Sequence, residues 1–388
     1  MFELLFLLLP FAAAYGYYMG RQSVRDKKEK SSTVRNNNYL RGVEYLLNNE
    51  KDRAVDKFIA YLNESDPSFE SNLALGNLFR KRGEVDRAIS LHEALANNPK
   101  LDVAENEISR VELARDFISA GLLDRAERIL LDLVEIPRQH AAAAALLVKV
   151  YEQERDYHKA IEIALTYRSV LGSSSLSQLS HYYCQCAVQD VMAGNKETAY
   201  ASYQHALDVY PNSVRARLEY ADLLIKDKKL KEAYIKVKEV SEIDPNSGLL
   251  CLDLIRKCFP NKADPDLRFA LEDLVRRTHS AEAMVDLVQS VELISGKEDA
   301  EVQLLAFIKE KPSLKLFSAL IGLRSRDNDD AKANDVVVQL KSLIDAQTAS
   351  NPRFSCSRCG FKSRMMFWQC PSCRRWDTIT PIRGLDGD

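Results

Sequence analysis

The chain has 388 residues, 46% of them hydrophobic and 28% charged, with a formal net charge of −2. That balance excludes a disordered chain and supplies enough apolar side chain for an extensive core. Near-neutral charge also argues against a general nucleic-acid binder.

The first element predicted is a membrane anchor over residues 1–20, MFELLFLLLPFAAAYGYYMG, in which Glu3 is the one charged residue. As a helix at about 1.5 Å per residue it matches the roughly 30 Å core of a bilayer. Pro10 is tolerable in such a helix, and Tyr15, Tyr17 and Tyr18 stand where an interfacial aromatic belt belongs. Arg21, Arg25, Lys27, Lys28 and Lys30 follow at once, which predicts that the bulk of the chain is cytoplasmic. Ala12, Ala13 and Ala14 would suit a cleaved signal, but the basic n-region is missing and the charges lie on the wrong side. Residues 21–37 then read as a basic, polar juxtamembrane tether without apolar period.

From residue 38 the sequence repeats. Gly42, Tyr45, Ala54 and Phe58 recur 34 residues later as Gly76, Phe79, Ala88 and His92. A small residue, an aromatic three later and an alanine nine after that describe two antiparallel helices. The small residue permits close approach, the aromatic fills the gap, and the alanine makes the return contact. Ala114, Phe117 and Ala126 continue the frame, followed by Tyr151 with Ala160, by Ala199, Tyr203 and Pro211, and by Leu224, Ala233 and Pro245. Ala88 to Ala126 is 38 residues and Ala160 to Ala199 is 39, so insertions of four and five lengthen two units. Beyond Pro245 the frame degenerates, though Ala300, Phe307 and Pro312 recover it. This register resembles the tetratricopeptide repeat family over residues 38–347, about nine helix pairs with the last ones degenerate. An α-solenoid of that kind presents a face to a peptide or protein segment.

No nucleophile, base and oxyanion donor fall into a catalytic pattern on the repeats, so no enzyme is expected. His92, His140, His158, His181, His205 and His279 are scattered, without a His-x-x-x-His pair. His181 and Cys184 share a helix face, as neighbours at that spacing often do. Cys184, Cys186, Cys251 and Cys258 lie in helical patterns and read as reduced core residues.

The other four cysteines are crowded into CSRCGFKSRMMFWQCPSC. Cys356 with Cys359 and Cys370 with Cys373 form two Cys-x-x-Cys turns, a spacing that brings four thiolates onto one iron or zinc ion. With all four positions filled by protein, such a centre is structural or electron-transferring and not hydrolytic. Residues 352–388 are too few for a self-sufficient core, so ion binding would replace much of it. Phe354, Phe361, Met365, Met366, Phe367, Trp368 and Trp376 are a surplus for so small a knuckle, and they are expected to pack against the last repeats. Arg353, Arg358, Lys362, Arg364, Arg374, Arg375 and Arg383 outnumber Asp377, Asp386 and Asp388. This basic tail leaves two alternatives to an adaptor: a zinc ribbon for nucleic acid, or a rubredoxin-type electron carrier using iron.

The C-x-x-C-G-F and W-Q-C-P-x-C-x-x-W segments resemble the rubredoxin-type metal-binding module. Together with FELLFLLLP at the start and FWQCPSCRRW near the end, the whole chain resembles the lipopolysaccharide assembly protein B family of Gram-negative bacteria. The resemblance implies a non-enzymatic, single-pass inner-membrane adaptor facing the cytoplasm, which regulates lipopolysaccharide synthesis. It further implies that the protein works with the membrane protease FtsH to promote degradation of the UDP-acyl-N-acetylglucosamine deacetylase of the lipid A pathway, and that other lipopolysaccharide-synthesis proteins are partners. The family's metal ligands fall on Cys356, Cys359, Cys370 and Cys373.

Overall fold

A computed structural model describes residues 17–19, 21, 38, 40–45, 47, 48, 50–63, 68–172, 175–325, 331–384 and 387. The expected anchor and tether lie outside these, apart from residues 17–19 and 21, which are helical and exposed. Among the described residues no helix is long and apolar enough to cross a membrane. The chain divides into two compact units, residues up to Leu171 and residues from Gly172.

The first unit is built of helix pairs. Residues 40–45 are helical and precede α1 (Lys51–Asn63). Next come α2 (Phe69–Arg82) with α3 (Val85–Ala96), α4 (Val103–Ala120) with α5 (Leu123–Val134), and α6 (His140–Glu154) with α7 (Tyr157–Thr166) and the single turn α8 (Arg168–Leu171). The residues that carry the repeat are the ones that touch. A Cβ on Gly42 would meet the Phe58 ring at 2.9 Å, and one on Gly76 would collide with the His92 imidazole. Ala54, Ala88, Ala126 and Ala160 are wholly buried. Turns between paired helices need positive φ, supplied by Gly83 (87°) and Gly121 (76°) and, without glycine, by Arg155 (61°).

Helix ends follow local chemistry. Ser68 caps α2 through the Ser71 amide, and Asp102 and Glu105 close a reciprocal capping box on α4. Glu84 stands before α3 without capping it and pairs instead with Arg82 and Arg87.

The second unit continues with α9 (Ser175–Met192) and α10 (Lys196–Val209), then α11 (Val214–Lys226) and α12 (Leu230–Ile243). Pro245–Ser247 form a 3-10 turn, where the repeat frame degenerates, leading to α13 (Gly248–Cys258) and α14 (Pro265–Thr278). Two more pairs follow, α15 (Ala281–Ser295) with α16 (Lys297–Glu310), and α17 (Leu314–Arg324) with α18 (Ala331–Ser350). The last helix runs three residues past the boundary expected at 347. The insertions are accommodated within helices: α4 and α9 have 18 residues where α2 has 14. Four extra residues are about one turn, so a lengthened helix keeps its buried face. Cys251 and Cys258 sit in the apolar core with Leu252, Leu271 and Met284, and Cys184 packs with Ala187, Ala199 and Tyr203. These three thiols are core side chains, as expected. Cys186 is also buried.

Three short strands end the unit, β1 (Phe354–Cys356), β2 (Lys362–Ser363) and β3 (Ile379–Pro381). They form an antiparallel sheet in the order β2-β1-β3, with Phe354 opposite Ser363 and Pro381.

Candidate metal centre and its seat on the repeats

The two cysteine turns have nearly the same backbone. Cys356 C=O accepts from Gly360 N–H at 3.0 Å while its own N–H donates to Phe361 C=O at 2.8 Å. Fourteen positions on, Cys370 C=O accepts from Arg374 N–H at 2.8 Å and its N–H donates to Arg375 C=O at 2.9 Å. The fifth residue of each turn is left-handed: Gly360 at φ 75°, and Arg374 at φ 55° despite its side chain.

These turns bring all four predicted sulfurs together, every pair within 4.8 Å. Cys356 and Cys373 Sγ are 3.8 Å apart, and Cys359 and Cys370 Sγ 3.7 Å apart. A disulfide would need about 2.04 Å. A tetrahedral ion with sulfur bonds of about 2.3 Å has edges of about 3.8 Å, so this donor set fits a four-thiolate ion. Among the described residues no other group of three or more potential ligands converges; His181 and Cys184 do not form such a group.

The surroundings act in opposite directions on the first cysteine of each turn. Cys356 Sγ lies 3.4 Å from the Thr378 hydroxyl, and that contact, against some desolvation and aided by the Cys359 and Arg358 amides, lowers the thiol to about 6. Burial pushes Cys370 up to about 11, opposed by the Cys373 and Ser372 amides. In both turns the amides two and three residues after the first cysteine face its sulfur, an arrangement that stabilises charge. Cys356 and Cys370 are buried, whereas Cys359 is exposed.

The knuckle is seated on the second unit's helices. Phe354, Cys356, Cys370 and Ile379 pack with Leu249 of α13, and Trp368 lies against the core of α11 to α17. Arg353 pairs with Glu282 of α15 at 2.9 Å, and Lys315 of α17 reaches the same carboxylate at 3.0 Å. Burial raises Glu282, but Lys315, then Arg353 and Arg256, outweigh it and hold the carboxyl below its ordinary range. Arg383 donates to the Pro245 and Thr278 carbonyls at 2.7 and 3.2 Å. Trp376 does not join the last repeats as expected. It stacks on His181 of α9, centroids 4.5 Å apart at 17°. Of the apolar surplus, Met365 stays 67% exposed.

Sequence reasoning also passed over a row of cations in the first unit. Arg53, Arg87, Arg125 and Lys159 lie over Tyr45, Phe79, Phe117 and Tyr151, at 6.0, 3.9, 4.1 and 5.1 Å from the ring centroids. Each cation is eight residues after its aromatic and directly before the repeat's alanine, a signal that was present in the sequence.

The fold and centre define a helical-repeat protein closed by a four-cysteine knuckle. A tetratricopeptide repeat profile matches residues 73–105, and one for a rubredoxin metal binding domain matches residues 354–381. Lipopolysaccharide assembly protein B of Escherichia coli (strain K12) is 32% identical over 100% of both chains. The protein of that name from Haemophilus influenzae is 32% identical over 98% of each. The chain therefore belongs to the lipopolysaccharide assembly protein B family. Among solved structures, the crystal structure of MamA covers 48% of this chain and 98% of its own at 18% identity, with a TM-score of 0.31, too distant to bear on the fold.

Proposed function

We propose that this protein is a non-enzymatic inner-membrane adaptor in lipopolysaccharide assembly. The observation that carries this is the match, over the whole chain, to relatives named for that process. In this reading residues 1–20 are a single-pass anchor, residues 21–37 a tether, and the bulk of the chain faces the cytoplasm. The helix pairs over residues 38–347 bind protein partners, and residues 352–388 fold around one iron or zinc ion held by Cys356, Cys359, Cys370 and Cys373. The fit of their spacing to a tetrahedral shell supports that ligand set. An ion so enclosed would supply folding energy to a segment with few core residues, while the chain's own thiolates would hold it and the Thr378 hydroxyl would support the charge of Cys356.

The family resemblance extends the proposal to partners: the adaptor presents the UDP-acyl-N-acetylglucosamine deacetylase to the membrane protease FtsH, and anchoring raises the effective concentration of weakly held partners. The test is the half-life of that deacetylase in cells producing the wild-type chain, a chain lacking residues 2–20, or Cys370→Ser. Both variants should lengthen it. An unchanged half-life in the anchor deletion, at equal expression, would refute the membrane part of the reading.

A further inference from the structure

The site under Trp376 has the chemistry of a peptide-recognition pocket. α9 supplies Ser177, His181 and Tyr182, and α11 supplies Arg215. The Trp376 indole stacks on His181, meets the Tyr182 ring edge-on at 6.3 Å, and has the Arg215 guanidinium 5.6 Å from its centroid. The next side chain is bound as a carboxylate: Asp377 Oδ2 accepts from His181 Nε2–H at 2.9 Å and from the Ser177 hydroxyl at 2.7 Å. The pocket thus reads an aromatic residue followed directly by an acid. Its capacity is not exhausted. His181 is 2% exposed and Arg215 4% exposed, yet His181 Nδ1 and Arg215 Nη1 are buried without a hydrogen-bond partner among the described residues. Arg215 Nε donates to Glu219 at 2.8 Å. A buried donor on a cation left unmatched is costly, and an occupant with a better-placed acceptor would relieve it.

The present occupant is fastened to the metal centre. Arg374 and Arg375 are bonded to Cys370, Trp376 bridges to Gln369, and Asp377 N–H donates to Trp368 C=O at 3.1 Å. Repeats contact their neighbours alone, whereas this knuckle holds α9 at Trp376 and α15 at Arg353. Whether the knuckle is folded therefore decides whether the pocket is filled.

We propose that Ser177, His181 and Arg215 form a recognition pocket for a protein segment carrying an aromatic residue followed by a carboxylate, filled by the chain's own Trp376–Asp377 while the knuckle is folded, and opened to such a segment of a partner when the knuckle loses its ion. This rests on the four cysteines holding an ion. Tethering gives the internal segment a high effective concentration, so the loaded protein excludes an external copy.

The test uses the full chain with Trp368→Phe, which leaves Trp376 as its one tryptophan, and a labelled peptide of residues 374–380. Ion content, Trp376 emission and peptide anisotropy are measured before and after chelation under reducing conditions. The loaded protein should show a buried indole and no peptide binding. The stripped protein should show red-shifted emission and should bind the peptide. That binding should weaken about tenfold or more on His181→Ala, and equally when the peptide carries Asp377→Asn, as loss of a charge-assisted contact requires. A full-length Trp376→Ala chain, still loaded, should bind the peptide without chelation, which covers a stripped protein that aggregates. Absence of binding to both opened forms, or binding indifferent to His181→Ala, overturns the pocket. A Trp376 that stays buried after measured loss of the ion overturns the coupling. Protein that never contains an ion yet has a docked Trp376 overturns the metal reading instead, and the Trp376→Ala chain then decides the pocket by itself.

Discussion

His92 Nδ1 lies 2.5 Å from Asp116 Oδ2, with both side chains fully buried. Asp116 Oδ1 also accepts from Arg80 Nη1 at 2.6 Å, and Arg80 is held further by Glu112 and Asn77. A histidine, a carboxylate and an arginine in one place invite a catalytic reading, but the network is spent on joining α2, α3 and α4. Asp116→Asn should destabilise the protein by about 1–3 kcal/mol, because the buried carboxylate accepts from Arg80 and pairs with His92, and a neutral amide weakens both contacts. In a double-mutant cycle of urea midpoints with His92→Ala, a coupling of at least about 0.5 kcal/mol is expected. Strict additivity would show that the contact is energetically idle.

Gly76→Ala should also destabilise. Alanine favours a helix over glycine by about 1 kcal/mol, but here its methyl would enter the His92 ring, which is pinned by Asp116 and faces the Leu73 carbonyl at 3.3 Å. Overpacking of this kind costs about 1–3 kcal/mol, so a net loss near 1 kcal/mol is expected. Adding His92→Ala should remove the penalty of the methyl. A gain in melting temperature from Gly76→Ala alone would contradict the close approach.

The cysteines in the repeats should be chemically silent. Burial pushes Cys251 up to about 12 and Cys258 up to about 11, and raises Cys184 as well. At pH 8 a thiol near 12 is ionised to about one part in ten thousand. Iodoacetamide followed by mass spectrometry should leave these three unmodified in the folded protein and modify them after unfolding. Rapid native labelling of any of them would indicate a helix pair that opens.

Glu282 gives a pH dependence of known sign. Its carboxyl is held below the ordinary 4.5, so the stability it contributes is complete above that value and is lost as pH falls through the lowered folded value. Glu282→Gln should cost about 1–2 kcal/mol at pH 7, leaving Lys315 and Arg353 with a weaker acceptor. The wild type should then lose its advantage below pH 4.5. Parallel stability curves for the two proteins across that range would dismiss the ion pair as a contributor.

Some of this protein was written along the chain. Ala54, Ala88, Ala126 and Ala160 announce their helix pairs because a stacked repeat puts the same demand on the same position each time, and the demand leaves a period. Cys356, Cys359, Cys370 and Cys373 announce their centre because a tight turn fixes which sulfurs can meet one ion, a constraint local enough to appear as spacing. Arg374 shows the limit of that legibility: it takes the left-handed position that Gly360 fills in the matching turn, and nothing in its own identity suggests it.

The seat of the knuckle had no such trace. His181, Arg215 and Trp376 meet once, across nearly 200 residues of chain. A single stacking contact repeats nowhere and so imposes no period, and its partners read separately as an ordinary helix histidine, a helix arginine and a spare aromatic. Sequence therefore determined the helix pairs and the four-sulfur turn, because repetition and local geometry are linear constraints. Only the tertiary structure decided where the turn rests and what it covers, because that depends on surfaces that exist only after the helices have stacked.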